Sequence, residues 1–276
     1  MNDKPSSDDR YTVPGLARGL QLLMQFNRDE RELSGAELSR RLGLPRASVF
    51  RMLFTLEQSG FLERCPDGVS YKLGLAVLRL GFELLSSMEL TEVGRPVIES
   101  LRDQSGFSAH LVVRDAREVV FIAKAAGGNA MFHSIQVGAR LPAHATVLGR
   151  TLLSDVDMKD LAALYPEKTL PAYTPKTPTN LHDLKVLIDQ DRDKGYGVSM
   201  GGYETGISTI AAPVFDGQGR VTAAISISVP SQRIEDDALM PLVELVKTAS
   251  SQLTERLSHL PQRSVTPAKT KDKRST

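Results

Sequence analysis

The sequence predicts an α/β chain, α+β overall, built in two parts. A small N-terminal unit carries two helices joined by a tight turn and followed by a hairpin. A larger C-terminal unit carries an antiparallel sheet with helices packed on it. Three observations predict this. The stretch SGAELSRRLGLPRASVFRMLFTLEQSGFLER sets capping residues and a glycine turn between two apolar-periodic segments. GISTIAAPVFD, GQG and RVTAAISISVP read as two strands and their turn. The 276 residues are long for one domain and comfortable for two.

Taken in order, residues 1–11 read as a disordered leader, being polar without an apolar core. Pro14 and Gly15 open a helix whose apolar residues, Leu16, Leu20, Leu23 and Phe26, recur at helical spacing. Ser34 and Glu37 have capping-box spacing, so a second helix starts there and ends at Gly43. Pro45 opens a third, to about Ser59, with Val49, Met52, Leu53 and Leu56 as its buried stripe. FLER and VSYKL, joined by a turn at Asp67–Gly68, make a hairpin wing. Residues 12–73 thus form a winged helix-turn-helix. Residues 74–88 form a linker helix that is apolar on more than one side (Leu75, Leu78, Leu80, Phe82, Leu85), as expected if it packs on a second subunit.

Residues 89–260 form the second domain. A helix over 90–104 leads into strands SAHLVVR, EVVFIAKA and MFHSIQV. Short helices follow over 146–153 and 158–164, then a Pro- and Thr-rich surface loop. Asn180 caps the helix LHDLKVLIDQDRDKG. The long hairpin and a closing helix over 236–257 complete the unit. Residues 261–276 are polar and basic and read as a disordered tail.

The helix-turn-helix points to duplex DNA. Its first helix braces the second, which can enter a major groove about 12 Å wide. Arg46, Ala47, Ser48 and Arg51 stand where base edges would be read. Ser34, Arg40 and Arg41 stand where backbone phosphates would be met, and Arg64 and Lys72 on the wing reach flanking phosphates or the minor groove. For each arginine, base reading and phosphate contact are both open at this point. Net charge is only +1, which neither demands nor excludes nucleic acid, because placement of the charge decides.

Other classes find little support. The chain lacks HExxH, GxSxG, a Walker glycine loop and paired cysteine motifs, so neither an enzyme nor a cofactor is expected. Five histidines and one cysteine are scattered without ligand spacing, so no metal site is expected; His110 and His133 read as sheet residues. Cys65 is a bystander at the wing turn. A lone cysteine forms no internal disulfide, and there is no signal peptide and no run long enough to span a membrane. A cytoplasmic location is the expectation.

PGLARGLQLL, LSRRLGLPRASVFRMLFTLEQSGFLER, VGARLPAHATVLGRTLL and KGYGVSMGGYETGISTIAAPVFDGQGRVTAAISISVP together resemble the IclR family of bacterial transcriptional regulators, over about residues 12–260. The resemblance implies a GAF/PAS-like effector-binding C-terminal domain. It implies a homodimer or dimer of dimers on a palindromic operator near catabolic or stress genes, acting as repressor, activator or both. The effector would be a small organic acid, whose binding releases DNA or changes how the complex meets RNA polymerase.

By the same resemblance, the effector pocket is framed by His144, Ala145, Thr146, Val147 and Leu148 on one side and Ser199, Thr209, Ser226 and Ser228 on the other. Ala130 and Phe132 close it. Ser226 and Ser228 are two apart on a strand, so they face one side. They either hold a carboxylate or bond locally. His144 either meets ligand or is a satisfied polar residue, and Glu204 reads as structural. Thr209 stands where relatives that bind small polar acids often have cysteine, and Ser199 where they have an acidic residue. Val147 and Leu148 replace small residues. These departures favour an aromatic or otherwise apolar acid. Arg150 replaces the family's usual lysine and keeps its charge. The alternative is a constitutive DNA-binding regulator whose C-terminal domain serves only oligomerisation.

Overall fold

The computed structural model describes residues 12–27, 29–87, 89–128, 135–230 and 234–258. The leader over 1–11, the tail over 261–276 and the expected pocket residues Ala130 and Phe132 lie outside them. The chain divides into two compact units, Met1–Ser87 and Met88–Thr276.

The first unit holds α1 (Pro14–Leu23), β1 (Leu33–Ser34), α2 (Gly35–Leu42), α3 (Arg46–Gln58), β2 (Leu62–Arg64), β3 (Ser70–Leu73) and α4 (Leu75–Ser87). Ser34 caps α2, its Oγ accepting from the Glu37 amide at 3.2 Å. Half of the expected capping box is absent: the Glu37 carboxylate turns to Arg40 and Arg41, not back to Ser34. Gly43 ends α2 at φ 61°, a left-handed conformation that favours glycine. The wing turn is an Asx turn, with Asp67 Oδ1 accepting from the Val69 and Ser70 amides. The wing is three-stranded, in the order β1-β3-β2, because Leu33 and Ser34 pair with Tyr71 and Ser70. Leu22, Phe26, Leu38, Val49, Leu53, Leu62 and Tyr71 form its core. The sequence stripe on α1 divides: Phe26 is buried, whereas Leu16 and Leu20 are exposed. Leu75, Leu78 and Leu80 of α4 are also exposed.

The second unit runs α5 (Glu89–Ser105), β4 (Ser108–Asp115), β5 (Glu118–Ala125), β6 (Arg140–Pro142), a 3-10 turn (Ala143–Ala145), α6 (Val147–Leu152), α7 (Met158–Leu164), α8 (Leu181–Lys194), β7 (Gly197–Met200), β8 (Ser208–Phe215), β9 (Val221–Val229) and α9 (Asp236–Ser258). Its sheet has the order β6-β5-β4-β9-β8-β7, with all neighbours antiparallel. Helices α5 and α9 pack together and against the central strands, and α6 packs on β7, β8 and β9. The core beneath α6–α8 includes Val112, Phe121, Leu148, Leu153, Leu161, Tyr165 and Leu184.

The strand expected over MFHSIQV is corrected in its described part: residues 135–137 are not a strand. Gly138, at φ 89°, turns the chain there and donates to the Phe121 carbonyl, and Phe121 donates to Ala139. The free edge of β5 is therefore taken by β6, a few residues later.

Candidate functional site

The first unit offers its exposed face of α3. Arg46, Ala47 and Arg51 are exposed, while Val49 and Leu53 on the opposite side are buried. Ser48 is half-buried and turns toward α1, where with Arg51, Thr55, Leu16 and Leu20 it borders a shallow groove. Among the described residues neither Arg46 nor Arg51 forms an ion pair, so their guanidiniums are available.

The other expected cations are engaged within the chain. Arg40 grips Glu37 through Nε and Nη2 at 3.0 and 2.7 Å, yet its side chain is 74% exposed and can be re-aimed. Arg41 is held by two carboxylates: Nε on Glu37 at 2.6 Å, Nη1 and Nη2 on Glu30 at 2.8 and 2.5 Å. It pins the connector after α1 to α2. The two arginines hold the Glu37 carboxyl down at about 2. Arg64 bonds Glu57 and the Gly68 carbonyl and lies over the Tyr71 ring; Lys72 pairs with Glu63.

The second unit holds a cavity of about 850 Å³, counting its open mouth. Thr146, Val147, Leu148, Ser199, Thr209 and Ser228 line it. His144, Ala145 and Ser226 do not. His144 donates to the Pro171 carbonyl at 2.9 Å and packs on Tyr165 and Tyr173, which makes it a satisfied polar residue. Ala145 is buried in the 3-10 turn and Ser226 is fully buried in β9.

Strand register explains the cavity's polar wall. Ser108 pairs with Ser228, Ser228 with Thr209, and Thr209 with Ser199. Opposed residues share a face, so one rung of hydroxyls crosses β4, β9, β8 and β7. The outer two are engaged by loops: Ser108 Oγ accepts from the Gly127 amide and Ser199 Oγ from the Gly202 amide. Among the described residues, the hydroxyls of Thr209 and Ser228, in the middle, have no side-chain or backbone partner. Thr146 is not a free donor, because its hydroxyl donates to the Pro142 carbonyl and accepts from the Gly149 amide. Glycine is required at 149, where a Cβ would stand 2.0 Å from the Ala143 carbonyl oxygen and push α6 off the turn before it.

The next rung places His110 opposite Ser226. His110 lines the cavity, meets Phe121 edge-on at 5.4 Å, and its Nδ1 has no partner among the described residues. Ser226 Oγ, on the same rung, is also unpartnered among them. Burial, helped by the Lys124 charge, pushes His110 down to about 4, so it is neutral at pH 7. Sequence reasoning missed His110, Ser108 and the ring of Tyr203; only the pairing of β4 with β9 brings the first two to the site. No Lys or Arg lines the cavity among the described residues. Arg150 is turned away, its Nε on Asp191 at 2.7 Å with side chains 8% and 12% exposed.

A pH dependence follows. The folded-state value of about 4 lies below the ordinary 6.5, so the unfolded chain binds the extra proton between them. Stability is fully present above about pH 6.5 and falls as pH drops toward 4. From pH 7 to pH 5 the second unit should lose about 2 kcal/mol on this account. Calorimetric melting of His110→Gln should show that increment gone; an unchanged pH slope would assign the acid sensitivity elsewhere.

Among the described residues, no group of three or more His, Cys, Asp or Glu side chains could hold a metal ion. No helix among them is long and apolar enough to cross a membrane.

Comparison with known proteins follows the two units. Residues 15–66 match the family described as the IclR helix-turn-helix domain. Residues 82–255 match that described as bacterial transcriptional regulator IclR C-terminal. The chain is 30% identical over 244 residues to the transcriptional repressor IclR of Escherichia coli, covering 88% of this chain and 89% of that one. It is 33% identical over 223 residues to the Pca regulon regulatory protein of Pseudomonas putida, covering 80% and 76%. Among solved structures, an IclR transcriptional regulator from Alicyclobacillus acidocaldarius superposes with a TM-score of 0.79 at 26% identity, over 90% of this chain and 100% of that one. An IclR homolog complexed with 4-hydroxybenzoate, from Microbacterium hydrocarbonoxydans, gives 0.76 at 27% identity, over 88% and 98%.

Proposed function

The chain belongs to the IclR family of bacterial transcriptional regulators, and from that premise we propose that it binds a palindromic operator as a homodimer or dimer of dimers and alters transcription of catabolic genes when a small organic acid, aromatic in the favoured case, enters the cavity of its second unit. The observation that carries the effector half is the rung of hydroxyls, with Thr209 and Ser228 unpartnered among the described residues, in a wall that also holds Thr146, His110, Tyr203 and Glu204 and whose apolar part includes Phe107, Phe121, Val147 and Leu148. Hydroxyls without a cation suit a single carboxylate or a phenol; the apolar remainder suits a ring. The relative complexed with 4-hydroxybenzoate supports the same class. Exposed Leu75, Leu78 and Leu80 on α4 support a dimer, since a second copy would cover them.

The test is genomic DNA selection by the purified protein, with and without 4-hydroxybenzoate, benzoate or glyoxylate, alongside calorimetry. An aromatic acid at 100 times its Kd should stabilise the second unit by about 2.7 kcal/mol and change the recovered fragments. Thr209→Val with Ser228→Ala should abolish both responses while leaving DNA selection intact. No stabilisation and no change in DNA binding by any acid would favour the constitutive reading, in which the second unit only oligomerises.

A further inference from the structure

We infer that Phe50 reads thymine methyl groups in the operator, making it a specificity-determining residue of the DNA-facing helix; this rests on the DNA-binding reading above. Phe50 and Phe54 are 59% and 52% exposed, although the helix that carries them has a complete buried stripe of its own. At ~100° per residue, the buried residues Val49 and Leu53, with Met52 and Leu56, occupy one side of α3. The opposite arc runs from Arg46 to Arg51 and Thr55. Phe50 falls inside that arc, between the two arginines, with the small Ala47 beside it.

Two rings in water at the centre of a cationic face are unfavourable unless something covers them. Burying one such side chain is worth about 1.5–3 kcal/mol. The occupant must be anionic, because Arg46 and Arg51 flank the ring and neither is neutralised by a carboxylate among the described residues. It must also offer apolar points at the spacing of a helix face. The major groove meets both demands: phosphates and guanine acceptors for the arginines, and the thymine C5-methyl for a phenyl ring. Phe50 sits in the second turn of α3, near the end that approaches base edges in this motif. Phe54 is one turn further along, about 6 Å away.

The test replaces thymine by uracil, which removes the methyl and keeps every hydrogen-bonding group. Full-length protein first selects duplexes from a random pool. Each thymine of the selected half-site is then changed to uracil. Wild type should lose about fourfold per half-site at one position, and about sixteenfold when both half-sites are changed. Phe50→Ala should bind the thymine and uracil duplexes equally there, Phe50→Leu should keep part of the discrimination, and Phe54→Ala and Arg51→Ala should keep it. A selected palindrome at which wild type ignores every uracil, or at which Phe50→Ala still discriminates, overturns this inference alone. Failure to select any duplex overturns the DNA-binding reading with it. Phe50→Ala that changes oligomeric state while keeping methyl discrimination would assign the ring to a protein contact and overturn the inference too.

Discussion

Replacing Arg46 or Arg51 by alanine is expected to lower affinity for the selected operator by at least about 30-fold in a symmetric dimer. Each bidentate contact to guanine is worth about 1–3 kcal/mol, and two half-sites double it. The expectation falls on these two because they are exposed on α3 and unpaired, so nothing in the protein must be given up to reach a base. Arg40 differs: on the phosphate-contact reading, its replacement is expected to weaken binding across sequences and to lower the salt slope by about 1 per contact. Arg41 differs again. With Glu30 and Glu37 both bonded to it, its loss loosens the first unit itself, and melting would reveal this before DNA binding did. Fluorescence-anisotropy titrations on specific and scrambled duplexes over a salt series separate the three. Arg51→Ala binding the specific duplex as tightly as wild type would remove it from the reading set.

The second large effect is expected at Arg150. Its Nε–Asp191 pair is nearly shut off from water, and its Nη2 also donates to the Val198 carbonyl at 3.4 Å. The pair ties α6, which starts beside the cavity, to α8 and β7. Burial raises the Asp191 carboxyl even with Arg150 beside it, so the charge depends on that partner. Arg150→Ala leaves a buried carboxylate uncompensated, at a cost of about 3–5 kcal/mol. The chain has no tryptophan, so calorimetry is the suitable probe. The melting temperature of the second unit should fall by about 6–20 °C.

The sign with pH is fixed. A raised folded-state carboxyl means the native state holds the extra proton, so the deficit of Arg150→Ala should shrink as pH falls toward the ordinary carboxylate range and widen as pH rises. Replacing both partners by leucine should recover most of the loss, because neither charge is then stranded. A melt unchanged in Arg150→Ala would show that Asp191 finds water or another cation.

What was legible in the sequence was what local physics writes. Ser34, Gly43 and Asn180 act within one helical turn of themselves, so these caps and stops could be read, and with them the helix-turn-helix and the long hairpin. The family followed from ordered motifs in both units. Two edge strands were illegible: β1 has two residues and β6 three, too few for a periodic pattern and without the hairpin turn that marked β2, and they exist because a neighbour offers a free edge. Long-range pairs were illegible for the same reason. Nothing near Glu30 announces Arg41, and nothing near Arg150 announces Asp191, 41 residues away.

The site divides along this line. The sequence by itself determined that Ser226 and Ser228 share a face, because side chains alternate along a strand. It determined too which arginines begin the second helix of the motif. Tertiary structure alone decided that Ser228 meets the cavity while Ser226 lies buried beside His110, that Ser108 joins the hydroxyl rung, and that Arg150 turns away from the cavity to Asp191. Those outcomes depend on the register of four strands and on which charges are desolvated together, and both are set by residues far apart in the chain.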